Sequence, residues 1–382
     1  MGGGLRERET ARSLANTAAG TAALLAWVDE RTGGDRSRIV VGFEPTGSYW
    51  QGFIGRLVAS GVGVRVIAPA HTKKYKELVD NSPNKSDAKD AGVIAELTKR
   101  GHGLWLRLPQ GAYADLRALG EGDHRATQRI TALKNQARDV ALGLFPELVA
   151  AIDPFSATGR SLWAATPTPA AWLAKRRSTR ERLVRQASRG RLGAAFVVQL
   201  TEGARDSLGT TEAVAARVGE LSFLLAELDR WAARRTALET ELSATLDGCA
   251  EGEWLASVPN LGRVCAARIL GETGPLADFT NVQAVLKHAG LNLYASASGK
   301  RTPERVVYRL TQRGRSRLRH LLFFAVLRLV QEGGVFHGAY RRLVDHGVVK
   351  LRAVVAMMRK LLRVLTALAR DRVAYAPVST PA

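Results

Sequence analysis

The chain has few of the features that mark secreted, zinc-binding or membrane-spanning proteins. Its 382 residues include two cysteines, Cys249 and Cys265, which form neither a zinc-ligand pattern nor a disulfide framework. The seven histidines are scattered without metal-ligand spacing. The longest apolar stretch, residues 318–330, is broken by charged residues and falls short of the roughly 18 that a membrane helix needs. With no signal-peptide core, we expect a soluble cytoplasmic protein.

Acidic residues are also scarce relative to basic ones. Asp and Glu number 35 against 56 Lys and Arg, which gives a formal net charge of +21. A GC-rich genome would favour arginine codons, but a surplus this large more often indicates a polyanionic partner, and nucleic acid is the first candidate. A hydrophobic content of 46% is typical of a folded chain.

The first hundred residues alternate between strand and helix patterns. Apolar, β-branched runs at 38–43 and 62–68 predict two buried strands. Helical spacing or turn chemistry predicts helices at the remaining positions, namely 14–30, 49–60, 70–79 and 85–100. This alternation predicts an α/β domain with neighbouring parallel strands.

From about residue 111 the chain reads as all-α. Two heptad-like runs predict long helices that could pair as a coiled coil within or between subunits; they are Ile130, Leu133, Ala137, Val140, Leu144 and Val214, Val218, Leu221, Leu225, Leu228. The region between them looks less regular. Its basic run at 175–182 fits either a solvated helix face or a surface that contacts phosphate. Residues 251–372 predict a further helical unit, followed by a frayed tail.

Three carboxylates carry the strongest chemical signal. Glu44 follows the first predicted strand, and Asp87 and Asp90 share one face near the start of a helix. Such oxygen ligands suit Mg²⁺ or Mn²⁺, and two metals would serve phosphodiester chemistry. Lys85 and Lys89 flank the pair and could contact a phosphate. Alternatively, the two aspartates merely favour the helix N-terminus.

A Pro/Gly turn at 258–264 resembles the hairpin of a helix-hairpin-helix element. We expect Asn260, Gly262 and Arg263 to contact a DNA phosphate there, independently of base sequence. A plain turn between two helices is the alternative.

A Ser/Gly-rich segment at 289–301 displays hydroxyls beside cations. Ser298 and Ser296 are candidate nucleophiles, and Lys300 and Arg301 could stabilise a phosphate transition state. Most Ser/Gly-rich loops, however, have no catalytic role. The basic helix predicted from Arg313, which includes Arg315, supports a polyanion-binding surface; the further cations are Arg317 and Arg319.

In this order, these motifs resemble the insertion-sequence transposases that join an N-terminal RuvC-like DEDD domain to a C-terminal transposase domain containing a serine. The resemblance rests on Glu44-Pro45-Thr46-Gly47, Lys85-x-Asp87-x-x-Asp90, the turn at 258–262, Ala289-Gly290-Leu291 with Ser298-Gly299-Lys300, and Thr311-x-Arg313-Gly314. It implies an RNase H-like domain at 1–108, helical and coiled-coil residues at 109–248, a transposase domain at 249–372 and a tail at 373–382.

The resemblance also implies an activity and partners. Family members recombine DNA through Mg²⁺ held by the RuvC-like carboxylates and a serine that attacks DNA, in a composite site that needs more than one subunit. They use a structured bridge RNA that pairs with target and donor DNA. Carried over, Glu44, Asp87 and Asp90 match three of the four metal-binding acids, and Ser298, or Ser296 instead, matches the nucleophile.

One part of the family pattern has no counterpart. The first acid belongs on an opening strand before Glu44, whereas Asp29 and Asp35 come too late. We therefore expect an RNase H-like domain without its first strand, either from a late start or in a decayed element. Two rival hypotheses are a Holliday-junction-type metal nuclease that uses only the carboxylates and an inactive DNA- or RNA-binding remnant.

Overall fold

The structure, a computed structural model, describes residues 12–79, 87–296, 307–311 and 313–376. The chain divides into two compact units, Met1–Leu108 and Pro109–Ala382. The first combines helices with a small sheet, and the second is mostly helical. Within the described ranges, no helix is long and apolar enough to cross a membrane.

The first unit is built around a three-stranded mixed sheet in the order β1-β2-β3. Its elements in chain order are α1 (Ala18–Thr32), β1 (Val40–Phe43), α2 (Trp50–Ala59), β2 (Gly63–Val66), α3 (Pro69–Val79), α4 (Asp87–Lys99) and β3 (Leu104–Trp105). The parallel pairing predicted for the first two strands is confirmed, with Phe43 opposite Val66. Strand β3 was not predicted; it is two residues long and pairs antiparallel with β2.

Helices cover both faces of this sheet. On one face Val64 packs with Ile54 and Leu57 of α2, and on the other Val93 and Leu97 of α4 form a separate apolar cluster. Val41, Phe43 and Val64 of the strands contribute to the first cluster, and Ile67, directly after β2, contributes to the second. In the part of the chain that the structure describes, β1 forms one edge of the sheet.

The second unit contains thirteen described helices and one hairpin. In chain order they are α5 (Ala112–Leu144), α6 (Pro146–Ala151), α7 (Ala157–Ala165), α8 (Pro169–Leu173), α9 (Arg177–Ser188), α10 (Ala194–Arg205), α11 (Val214–Thr245), α12 (Gly252–Ala256), α13 (Arg263–Thr273), α14 (Val282–His288), β4 (Leu293–Ser296), β5 (Val307–Leu310), α15 (Ser316–Leu329), α16 (His337–Asp345) and α17 (Lys350–Asp371). The antiparallel β4–β5 hairpin corrects the prediction that this half is all-α.

The two long helices α5 and α11 pack along each other within the chain. The buried heptad positions include Leu133, Ala137, Leu144, Leu221 and Leu228, all in one apolar core. One of the two predicted pairings, the one within a subunit, therefore occurs, while a supercoiled seam stays a prediction.

The segment between α5 and α11 is regular, and the prediction of an irregular region was wrong. Helices α6 to α10 close over the same core, with Trp172 fully buried. Two prolines that look like breakers, Pro146 and Pro169, occupy first-turn positions of α6 and α8. A missing N–H is harmless there, and the Thr168 hydroxyl caps α8 by accepting from the Ala171 amide at 3.1 Å.

A second core is shared by α12 to α17 and the ends of α5 and α11. A buried ionic cluster ties three helices together beside it. Arg268 of α13 donates to Asp123 of α5 and Glu239 of α11, each at 2.8 Å. Part of the predicted tail is also fixed, because the Tyr375 amide donates to Ser257 Oγ at 2.7 Å.

Candidate functional site

Glu44 lies where the sequence placed it, directly after β1 at the carboxyl edge of the parallel strands. The chain turns immediately: the Thr46 amide donates to the Glu44 carbonyl oxygen at 3.0 Å, and Gly47 adopts φ +60°. The left-handed conformation favours glycine at that position. The Glu44 side chain is half-buried, and its carboxylate contacts no donor or cation among the described residues.

Helix α4 brings the second carboxylate toward this strand. It packs so closely over β1 that a Cβ on Gly42 would collide with Thr98 Oγ1 and lie 3.1 Å from Ile94 Cγ2. Asp90 lies one helical turn before Ile94. Its carboxylate pairs with the Lys76 ammonium of α3, and the side chains are 25% and 24% exposed. Asp87 begins α4, on the face shared with Asp90, but its side chain lies outside the described part.

The residues present suit a divalent metal, although the complete ligand set is not described. Within the described part of the chain, no three His, Cys, Asp or Glu side chains gather closely enough to hold an ion. The donor type favours a cation, because carboxylate oxygens suit Mg²⁺ or Mn²⁺, whereas the Lys76 ammonium already pairs with Asp90. A metal at Asp90 would have to displace that ammonium.

Asp29 and Asp35, the two aspartates before Glu44, are both engaged in local contacts. Asp29 accepts two hydrogen bonds from Arg36, both at 2.7 Å, which hold its pKa below the usual range. Asp35 accepts from the Ser37 amide and hydroxyl, which also lowers its pKa. Both carboxylates are therefore committed to local contacts around residues 35–37.

One of the two candidate serines, Ser296, is placed in the hairpin formed by β4 and β5. Ser296 ends β4, paired with Val307, whereas Ser298, Lys300 and Arg301 lie outside the described residues, as does Lys85. Two sequence motifs meet at the base of the hairpin. The Arg315 amide donates to the His288 carbonyl at 2.9 Å, and a Cβ on Gly314 would collide with the backbone of Gly290.

The turn predicted to contact phosphate joins α12 to α13. Val258 and Leu261 are buried and anchor it in the second core, while Asn260 is exposed with φ +66°. Gly262, with φ +79°, precedes the first residue of α13. The backbone therefore presents the N-terminus of an eleven-residue helix next to an exposed turn.

Two family models match the chain in the expected order. One, described as a transposase with a DEDD domain of the IS110 type, matches residues 6–146, and the other, the transposase IS116/IS110/IS902 family, matches residues 252–341. A protein of insertion element IS116 from Streptomyces clavuligerus is 29% identical over 84% of this chain and 80% of its own length. A protein of insertion element IS900 from Mycobacterium paratuberculosis is 27% identical over 86% and 82%.

The chain belongs to the IS110 family of insertion-sequence transposases. A transposase binds DNA and recombines it. The DEDD domain implies an RNase H-like fold for the first unit and, in general, the use of a divalent metal.

Three predicted cations of this transposase are in the described part of the second unit, in different settings. Arg313 is exposed. Arg263 is 42% exposed, pairs with Asp247 and donates to the Ser243 carbonyl at 3.2 Å, so a phosphate would compete for it. Arg315 donates to Glu272 at 3.0 Å and thus has a partner inside the protein. Lys89 is placed on α4 in the first unit.

Sequence reasoning missed the residue that organises this region of the transposase, Glu272. Its side chain is 5% exposed and pairs with Arg315 and Arg317. Arg117 of α5 donates to the carbonyls of Gly271 and Glu272 at 2.9 and 3.3 Å, and burial lowers the pKa of Arg117 to about 10. The only sequence signal was an acidic residue inside the apolar pattern of α13, far in the chain from its partners.

Arginines also fix the first arm of the serine hairpin. Arg319 donates to the Ala289 carbonyl at 3.1 Å, and Arg359 of α17 donates to the Leu291 carbonyl. The Thr311 amide closes the base by donating to the Asn292 carbonyl at 2.9 Å. The base of the β4–β5 hairpin is therefore held by the second core.

Proposed function

We propose that this transposase cuts and rejoins DNA with a Mg²⁺ site formed by Glu44, Asp87 and Asp90 and with a serine nucleophile, Ser298. Ser296 is the alternative nucleophile. The observation that carries the proposal is the close packing of α4 on β1, which joins a strand-end glutamate and the aspartate helix in one α/β contact. Carboxylates on a strand end and an adjacent helix are a suitable set for phosphodiester chemistry.

Each residue has a stated role in this scheme. The three carboxylates would hold Mg²⁺, which supplies charge stabilisation at the reacting phosphate when bound. Lys85 and Lys89 orient a neighbouring phosphate. The serine oxygen bonds to phosphorus, gives its proton to a base, and displaces a deoxyribose oxygen that leaves as a hydroxyl. Lys300 and Arg301 stabilise the extra negative charge of that transition state.

We extend the proposal to partners and domain roles. A structured guide RNA and a homo-oligomer, a dimer or tetramer, are supported by the family resemblance, and the charge of +21 suits a polyanion. Residues 1–108 would act as the RuvC-like domain and 249–372 as the transposase domain, with Asn260, Gly262, Arg263, Arg313 and Arg315 nearest to nucleic acid. The helical region at 109–248 would contain the coiled coil, and 373–382 would be the tail.

The test separates the two chemical contributions. Purified protein is incubated with element-end and target DNA in Mg²⁺, with and without the noncoding RNA that flanks the element. We expect recombinant product only with RNA, and none from Asp90→Asn or Ser298→Ala. Wild-type activity in Ser298→Ala together with loss in Ser296→Ala would move the role to Ser296.

A carboxylate-only nuclease gives a different result. In that case Ser298→Ala and Ser296→Ala would both keep cutting DNA at the wild-type rate, and no strand exchange would occur with any variant. Salt-sensitive binding without Mg²⁺-dependent cutting would instead identify a binding remnant.

A further inference from the structure

Helix α9 and its flanks hold the densest positive charge of the chain. Residues 175–191 contain eight lysines and arginines against one carboxylate, Glu181, a net charge of +7. That is a third of the formal charge of the whole protein. The segment lies in the helical region between α5 and α11, outside the carboxylates, the serine hairpin and the α12–α13 turn.

The structure sorts these cations into inward and outward groups. Arg180 faces inward: its Nη1 donates to Thr201 Oγ1 at 2.7 Å, and its guanidinium lies over the Trp172 ring. Val184 and Ser188 form the buried face. At 3.6 residues per turn, Ser178, Arg182 and Arg185 fall within an arc of about 60° on the opposite face, and Arg189 follows as the C-cap residue, with φ +54°. All four are exposed.

The outward-facing arginines of this segment differ in whether they pair with a carboxylate. Within the described ranges, Arg182, Arg185 and Arg189 form no ion pair, while Arg177 pairs with Glu181. Some other exposed arginines of the same unit do have carboxylate partners; examples are Arg230 with Glu227, Arg234 with Glu241 and Arg341 with Asp345. In the part of the chain that the structure describes, the three outward arginines are therefore available to pair with an anion.

The N-terminus of α9 carries positive charge, where a helix favours negative charge. Its first turn has no acidic residue, and Arg176 and Arg177 occupy the cap and first position. Cations there oppose the helix dipole, which favours anions. A bound polyanion would relieve both this conflict and the mutual repulsion among the outward arginines.

We infer that the face of α9 formed by Ser178, Arg182 and Arg185, together with Arg189 at its C-cap, is a docking surface for the phosphate backbone of duplex DNA. From Arg182 to the last helical residue, Ser188, the helix rises about 9 Å, and Arg189 follows, so the three guanidinium groups can contact neighbouring backbone phosphates. Arginine and serine both donate to phosphate oxygens without reading base sequence. DNA is chosen because the chain is a transposase, and the inference is independent of Ser298 and of the metal.

The test measures how binding depends on salt, in EDTA, so that no chemistry occurs. The variant is R182A/R185A/R189A, and the control is R230A/R234A/R341A, which removes the same charge from paired, exposed positions. Each phosphate contact contributes about 0.9 to the slope of log affinity against log salt, so the α9 variant should lose roughly 2–3 units of slope on duplex DNA. The control should stay near wild type.

Two outcomes overturn the inference. Equal changes in both variants would mean that only net charge matters. A loss confined to structured RNA, with duplex DNA binding unchanged, would assign the surface to RNA. Should the triple variant fail to fold, as judged by circular dichroism, Arg185→Glu alone must still lower the slope. Because EDTA prevents cutting, failure here is distinguishable from failure of the proposed function, which is measured as strand exchange in Mg²⁺.

Discussion

At the scale of single residues, the ion pair between Lys76 and Asp90 bears on metal binding in the first unit. A lysine ammonium occupies the position next to a carboxylate that we assign to a metal. The metal ion and the Lys76 ammonium cannot both pair fully with the carboxylate oxygens of Asp90, so the metal must compete with the lysine. The packing of α3 against α4 keeps Lys76 close enough to compete.

Removing the lysine should therefore tighten metal binding. A quarter-exposed ion pair is worth at most about 1 kcal/mol, so Lys76→Ala should lower the apparent Kd for Mn²⁺ by about two- to fivefold. Isothermal titration with Mn²⁺ measures it, with Lys73→Ala, an exposed site on the same helix, as the control. Weaker binding in Lys76→Ala would show that the lysine supports the site.

Glu272 is the corresponding residue of the second unit. Glu272→Ala should lower the free energy of unfolding by about 3 kcal/mol, because Arg315 and Arg317 lose a buried counter-ion. Urea denaturation measures this change. Glu121 pairs with the same Arg317 but is 42% exposed, so Glu121→Ala should cost less than about 1 kcal/mol. Equal losses in both variants would contradict the assigned role.

His288 makes the stability of the same region depend on pH. Burial, followed by the nearby Arg315 and Arg117, lowers its pKa below 6.5, and its ring contacts the Glu272 carbonyl and Phe279. The unfolded chain then binds the proton more readily, so His288 contributes stability above pH 6.5 that is lost as the pH falls through the folded pKa.

The prediction is a smaller loss of stability in the variant. Between pH 7.5 and 5.5, His288→Gln should lose less unfolding free energy in urea than the wild type does. His346 is exposed, and His346→Gln should follow the wild type. A His288→Gln curve parallel to the wild type would mean that other groups carry the pH dependence.

At the scale of elements, the helical region depends on the α5–α11 contact. Leu144 is fully buried near the end of α5, whereas Leu142, two residues earlier, is 44% exposed. Leu144→Ala should cost about 2–5 kcal/mol through lost burial and a cavity, and Leu142→Ala less than about 1 kcal/mol. Thermal and urea unfolding of the two variants measure the difference, and similar losses would contradict the packing.

At this scale, the sequence predicts the helices and strands whose residue pattern is long or strongly apolar. The strand before Glu44 lies close to its predicted bounds, and the two heptad runs fall within α5 and α11, which extend well beyond them. Helices α6 to α10 are shorter. In the sequence, the prolines in the first turns of α6 and α8 resemble helix breakers, although they begin helices. Strand β3 has two residues, too few for any periodicity.

Contacts between distant residues were beyond sequence reasoning. Glu272 meets Arg117, Arg315 and Arg317 only because α5, α13 and α15 converge. Likewise, the motif glycines Gly290 and Gly314 were seen as separate signals, and the structure shows that the absence of a side chain at Gly314 allows the close approach of the Gly290 backbone. For the candidate site, Glu44 and the start of α4 were placed correctly from the pattern, whereas the partner of Asp90 was not foreseen.

At the scale of the whole molecule, the proposed chemistry is divided between two units. Glu44, Asp87 and Asp90 belong to Met1–Leu108, and the serine hairpin belongs to Pro109–Ala382. Family membership establishes a transposase, and the central claim is that metal-binding carboxylates and a serine serve one reaction. That claim requires a covalent bond between the serine and DNA that forms only when the carboxylate site is intact.

The most direct measurement is therefore mass spectrometry of the protein–DNA adduct, trapped by denaturation during reaction with element-end DNA in Mg²⁺. We predict a DNA-derived phosphate on the peptide that contains Ser298, or on Ser296 in the alternative, and no adduct in Asp90→Asn, Ser298→Ala or EDTA. Efficient recombination without any adduct, or an adduct that forms equally in Asp90→Asn, would contradict the account.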